Sequence, residues 1–266
     1  MKKYILFITV MLTSFLMQGN EFWIMPNKFI YDSGETVRLR FFTGDNFDGK
    51  NWTGNRSRIH SLFFYWSDVN DRCHQHLSSL PGDSLNISVI DEGTAMMAFH
   101  SKPATRVLDA TEFEHYLAEN KLSNVIEERK AAGIAEKAGR ESYERCAKTI
   151  FQVGSKTDRT YSKRTGLPID IIPDDNPYSL TKDGDFKVKI LYKGNPLKNA
   201  PVKIWHRLNE KISIHHLKTD DEGEVTFFIS TLGEWMVTTI VMEPLKGNAK
   251  ADWQSYHGSL TWGYLK

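Results

Sequence analysis

The residues able to do metal or proton chemistry fall in a few short runs. Cys73-His74-Gln75-His76 is the densest. In an extended stretch His74 and His76 would project to the same side. A thiolate with two imidazoles could hold a late first-row divalent ion such as nickel, cobalt, copper or zinc. No second ligand pair stands at a recognised metal spacing. The competing reading is a disulfide through Cys73 and two exposed loop histidines. His206, His215 and His216 form a second group. Across a hairpin spanning 204–217, His206 and either His215 or His216 would stand with Cβ atoms about 5 Å apart. His206 with His216 is the pair carried forward as candidate ligands. A sheet face alone closes no coordination sphere, so exposed strand histidines are the plainer reading. His257, among Trp253, Tyr256 and Trp262, reads as a packed histidine. Asp45, Asn46 and Asp48 start like a calcium loop but lack the later carboxylate that completes one.

Signals for catalysis are poor. The chain has no Gly-x-Ser-x-Gly elbow, no His-Glu-x-x-His and no phosphate loop. Nothing marks any two of its 33 acidic residues as a glycosidase pair. The residues therefore point to a non-enzymatic protein. Seven tryptophans and ten tyrosines could line a carbohydrate platform, although in β proteins they more often pack sheets. With 34 basic against 33 acidic residues the net charge is +1, which argues against nucleic acid as a partner.

Lys2-Lys3 followed by an apolar run at 4–17 and then Gln18-Gly19-Asn20 has the pattern of a secretory signal peptide over 1–19. The run is too short to read first as a membrane span, and no other stretch suggests a transmembrane segment in the mature chain. The expected location is periplasmic or secreted. In such a compartment Cys73 and Cys146 permit one disulfide, and two separate buried thiols are the equal alternative.

These groups must be positioned by β structure. Residues 36–42 alternate Val37, Leu39 and Phe41 with Arg38 and Arg40, a half-buried strand. Residues 59–66 read as a second strand. Residues 84–90 and 94–100 read as a hairpin across Asp91-Glu92-Gly93. The period then changes. Phe113, Tyr116 and Leu117, then Val125, Ile126 and Arg129, follow helical spacing, and Thr111 with Glu114 fits a capping box. Two or three helices are expected over about 111–151, including 136–151. Three X-Pro steps, Leu167-Pro168, Ile172-Pro173 and Asn176-Pro177, then mark an extended hinge. Short strands with turn signals follow to the end. The expected fold is mainly β: an N-terminal β-sandwich with a helical insertion over 20–165, then a C-terminal transthyretin-like or Ig-like β-sandwich over 166–266.

Several of these motifs together resemble a secreted bacterial family catalogued as domain of unknown function 4198. They are the start Glu21-Phe22-Trp23-Ile24-Met25-Pro26, the segment Arg140-Glu141-Ser142-Tyr143 with Ala147-Lys148, and the Asn176-Pro177-Tyr178 of the hinge. The turn at 194–205, the hairpin at 219–227 and the closing run at 252–262 complete the set. Members are described as periplasmic components of cobalt or nickel transport. The resemblance implies a binding or accessory role in transition-metal uptake, with an envelope transporter or outer-membrane receptor as partner. Members commonly carry His where this chain has Asn20 and Asn46, and an amide is a poor ligand for nickel or cobalt. The alternative expectation is a cell-envelope adhesion or glycan-binding module without metal.

Overall fold

The computed structural model describes residues 21–67, 69–77 and 84–266. The expected leader and Asn20 lie outside them. In chain order the strands are β1 (Glu21–Pro26), β2 (Ile30–Tyr31), β3 (Thr36–Asp45), β4 (Asp48–Asn51), β5 (Ile59–Trp66), β6 (Val69–Arg72), β7 (Leu85–Ser88), β8 (Gly93–Ser101) and β9 (Ala104–Leu108). Helices α1 (Ala110–Glu119) and α2 (Ser123–Ala131) follow. Then come β10 (Gly139–Val153), β11 (Ile169–Pro173), β12 (Gly184–Tyr192), β13 (Asn195–Pro196), β14 (Pro201–Leu208), β15 (Lys211–Lys218), β16 (Glu224–Ile229), β17 (Glu234–Pro244) and β18 (Trp253–Gly263).

One sheet organises the molecule. Its path runs β15-β14-β17-β18-β10-β8-β5-β6, with β2 and β9 also paired to β10. The two halves of the chain meet inside it, where β10 and β18 run parallel from Glu141↔Trp253 to Thr149↔Thr261. The central strands of this sheet, such as β8 and β10, are buried on both faces, and alternate residues enter different cores. On β10, Ala147 and Phe151 join a core under the sheet of β1, β3, β4 and β7. Cys146 and Ile150 join a core under the sheet of β11, β12, β13 and β16. The arrangement is thus three layers, with the long sheet in the middle. Helices α1 and α2 cover the lower part of its first face, where Phe113, Tyr116, Leu117, Leu122 and Val125 pack on Met242 and Trp253.

The mainly β, sandwich-type class holds, but the layout differs from two sandwiches in a row. A continuous sheet joins strands from both sides of residue 166, and the proline-rich hinge supplies β11, one strand of the third layer. All of β11 is buried. Asp170 on it takes a 2.7 Å bond from Lys148 on β10, both side chains almost wholly enclosed. The close approach of β11 to β18 requires Gly258, where a Cβ would sit 2.3 Å from the Ile169 side chain.

Three local expectations change. The segment 136–151 is not helical: from Gly139 it is the longest strand, β10. Helix α1 is capped two residues earlier than expected. Asp109 accepts from the Glu112 amide at 2.8 Å, and Glu112 accepts in return from the Asp109 amide. Strands β7 and β8 form no hairpin, because β7 pairs with β3 and β8 with β5 and β10. The turn between them passes from one layer to the next. Cys73 and Cys146 are free, buried thiols in different cores, so the candidate disulfide is not formed. Among the described residues no helix is long and apolar enough to cross a membrane.

Candidate functional site

The expected histidine ligands do not assemble. His74 and His76 lie on one short 3-10 turn beside Cys73 rather than on an extended stretch. Burial, with Asp71 acting the same way, pushes the Cys73 thiol up to about 11, which disfavours a thiolate. His206 pairs with Ser213, while His215 faces Ile204 and His216 faces Lys203. The tight turn at Asn209-Glu210 fixes that register, since Leu208 pairs with Lys211. His206 stacks on Trp235 with ring centroids 4.0 Å apart and meets the Leu232 carbonyl at 3.0 Å. His216 lines a small recess with Glu21, Lys121, Lys203 and His257. Burial pushes its pKa down, and Lys203 and Lys121 act in the same direction. Among the described residues there is no group of three or more His, Cys, Asp or Glu able to hold a metal ion. His60 and His100 come near each other, 4.9 Å between ring centroids, but His100 is bonded to Glu144 at 2.7 Å. Asn46 and Phe47, both with φ of 56°, form the left-handed turn joining β3 to β4, a hairpin turn that favours Asn. The run at 45–48 is therefore a turn.

The structure instead gathers polar groups where β10, β18, β9 and α1 meet. Period two on β10 sends Glu141, Tyr143 and Arg145 to one face, with Ser255 and His257 beside them on β18. Glu141 is fully buried. Its Oε2 accepts from Arg106 Nε at 2.5 Å, and its Oε1 accepts from Tyr116 at 3.3 Å and from Ser255. His257 Nε2 lies 3.1 Å from Ser255 Oγ, 3.5 Å from the Tyr116 hydroxyl and 3.6 Å from Glu141 Oε1. Burial alone would raise the Glu141 pKa. The His257 hydrogen bond and the Arg106 charge outweigh it and hold the carboxyl down at about 2. Burial pushes His257 down, and Arg106 and Arg145 add to that, against the pull of Glu141. At neutral pH the charge pair is Arg106 with Glu141, and the imidazole is neutral.

Serine, histidine and glutamate here do not make a hydrolytic relay. A relay sets the acid and the serine on opposite ring nitrogens, whereas Glu141 and Ser255 both face Nε2. Ser255 is also fully buried. The cluster is a buried, hydrogen-bonded polar wall.

Beside that wall, along the same face of β10, a cleft of about 380 Å³ opens. Thr43, the loop from Trp52 to Arg58, the end of β8 with Lys102, and Tyr143 and Arg145 line it. Its loop is pinned from within: Asn55 accepts from the Ser57 amide at 3.0 Å and from the Ser57 hydroxyl at 2.6 Å. Gly54 lies flat on the Trp52 ring, where a Cβ would come within 2.0 Å. Trp52 is held edge-on by Phe22 and Phe99, each 5.5 Å away. The Ser101 hydroxyl accepts from the Arg145 amide at 2.9 Å, and the Lys102 amide donates to the Arg58 carbonyl at 2.8 Å.

A family model described as a domain of unknown function, DUF4198, matches residues 17–243. The chain belongs to that family. Strands β1 through β17 fall within the DUF4198 match except for the last residue of β17, so the cleft and its polar wall lie within it apart from the β18 residues Ser255 and His257. A search of curated proteins finds no match. Among solved structures, Salmonella alpha-2-macroglobulin reacted with methylamine is 11% identical over 91% of this chain, with a TM-score of 0.20. A mutant of the same protein gives 10% and 0.21. This chain spans only 14% of the macroglobulin's length. A DUF3823 family protein from Bacteroides uniformis ATCC 8492 is 9% identical over 89% of this chain and 96% of its own, with a TM-score of 0.19.

The β3 alternation and the buried stripe of α1 were readable in the sequence. The cleft was not. Its signal was Glu141, Tyr143 and Arg145 at period two, within a run whose Tyr143, Ala147 and Ile150 also fit a helical stripe.

Proposed function

We propose that this member of the DUF4198 family is an exported, non-enzymatic binding protein that seats its ligand in the cleft between Trp52, Tyr143 and Arg145. The observation that carries the reading is that cleft: it is lined by polar side chains on a pinned loop and stands beside a wall whose serine, Ser255, is buried and faces the same His257 nitrogen as Glu141. Export is supported by the charged, apolar and small-residue pattern of residues 1–19. The bound ligand would be handed to an envelope transporter or outer-membrane receptor. A nickel or cobalt role has the family resemblance behind it, but His74, His76, His206 and His216 are spread over three separate places. Glycan binding fits the same cleft better than it fits an exposed sheet face.

The test is calorimetry on the mature chain with three panels: neutral sugars, oxyanions, and nickel, cobalt, copper and zinc ions. Saturable binding from one panel, with the ligand recovered unchanged, is the expected result. Conversion of the ligand, or no heat from any panel, would contradict the reading.

A further inference from the structure

The cleft is one-sidedly charged. Arg58, Lys102 and Arg145 line it, and no Asp or Glu does. Arg58 and Lys102 are exposed and Arg145 is half-buried. Among the described residues none of the three forms an ion pair with a carboxylate, whereas the nearby Glu141 is paired with Arg106. The Arg145 guanidinium lies over the rings of Phe22 and Tyr143, at 5.3 and 5.1 Å from their centroids. Such contacts hold a guanidinium less firmly than a paired, hydrogen-bonded carboxylate does. Burial pushes the Arg145 guanidinium down from its ordinary value, with Arg106 and Arg58 pushing the same way, while Tyr143 and the charge of Glu141, which is not in contact, pull against them. The sequence has carboxylates in ample supply and elsewhere uses them: Arg106, Arg140 and Arg207 each sit on one. Leaving a partly desolvated arginine without one costs stability.

Resting on the binding role above, we infer that the ligand carries an oxyanion, a carboxylate, sulfate or phosphate, and that Arg145 is its anchor. The guanidinium presents paired donors that match the oxygens of such a group. Arg58 and Lys102 at the rim draw it in, and Thr43, Thr53, Ser57 and the Tyr143 hydroxyl offer neutral hydrogen bonds to the remainder. The floor is the Trp52 ring, held by its neighbours.

The experiment titrates the mature chain with sodium phosphate, sodium sulfate and sodium glucuronate, and with glucose as the neutral counterpart of glucuronate. At least one anion is expected to bind, more weakly at high salt. Arg145→Met should weaken it about 10- to 100-fold, as loss of a hydrogen bond to a charged group does. The same substitution should change the Tm of the ligand-free chain little, because Met can still pack on the Phe22 and Tyr143 rings and no ion pair is broken. A structural role for Arg145 would instead lower Tm, and that result would overturn the inference. So would glucose binding as tightly as glucuronate, which would leave the binding role standing. Silence from every ligand class would remove both.

Discussion

Glu141 and His257 have opposite ordinary charges yet both make the fold acid-sensitive. Glu141 titrates near 2 when folded, below its ordinary 4.5. The unfolded chain therefore takes up that proton first, and the stabilisation is present above 4.5 and lost as pH falls toward 2. His257 titrates below its ordinary 6.5 when folded. Here too the unfolded chain binds the proton first, so stability begins to fall as pH drops below 6.5. The expected profile is a Tm that declines from pH 6.5 downward and steepens below 4.5. His257→Gln should flatten the portion just below pH 6.5 and make the acid limb shallower without abolishing it, because Arg106 still holds the Glu141 carboxyl down. Thermal melts at a series of pH values check this. A wild-type Tm that is flat from 6.5 to 5 would contradict it.

At the scale of elements, the decisive contact is between β10 and the hinge strand β11. Lys148 and Asp170 form a buried pair, and Asp170 Oδ2 also accepts from the Thr165 amide at 2.6 Å. Removing one partner leaves the other charge enclosed and uncompensated, so Lys148→Met should cost about 3–5 kcal/mol. Combining it with Asp170→Leu should recover most of that loss, short of the bond to Thr165. Denaturant melts of the single and double variants measure the difference. A double variant no more stable than the single would count against the pair as the clamp on the hinge. These elements also show what the sequence discloses. Strand β3 buries Val37, Leu39 and Phe41 and exposes Arg38 and Arg40. Strand β16 buries Val225, Phe227 and Ile229. Each has one wet face, so period two is visible. Strand β10 is buried on both faces and satisfies Glu141 and Lys148 with partners far away in sequence. Its polar residues blunt any hydrophobic period, and the mixed charges of Glu141, Glu144, Arg145 and Lys148 imitate a solvated helix. The cleft residues on that strand were hidden for the same reason.

At the scale of the molecule, the three layers share one frame. Strand β18 brings the C-terminal half alongside β10, and the C-terminal half also reaches the first layer through Thr261, which donates to the Ile24 carbonyl at 2.7 Å. The hinge is fastened to the first half at further points. Asn176 donates to Thr94 at 2.8 Å, and Tyr178 donates to the Ile150 carbonyl at 2.7 Å. A chain with this wiring should open as one unit. Its polar wall, made by β9, β10, α1 and β18 together, exists only when both halves are in place. The cleft beside that wall depends on the same sheet. Native-state hydrogen exchange across β10 and β18 tests this most directly. The account predicts that the most protected amides of the two strands open with the same free energy and the same denaturant dependence. Separate values for β18 and its neighbours β17 and β14, with β10 still closed, would show two independent units and contradict it.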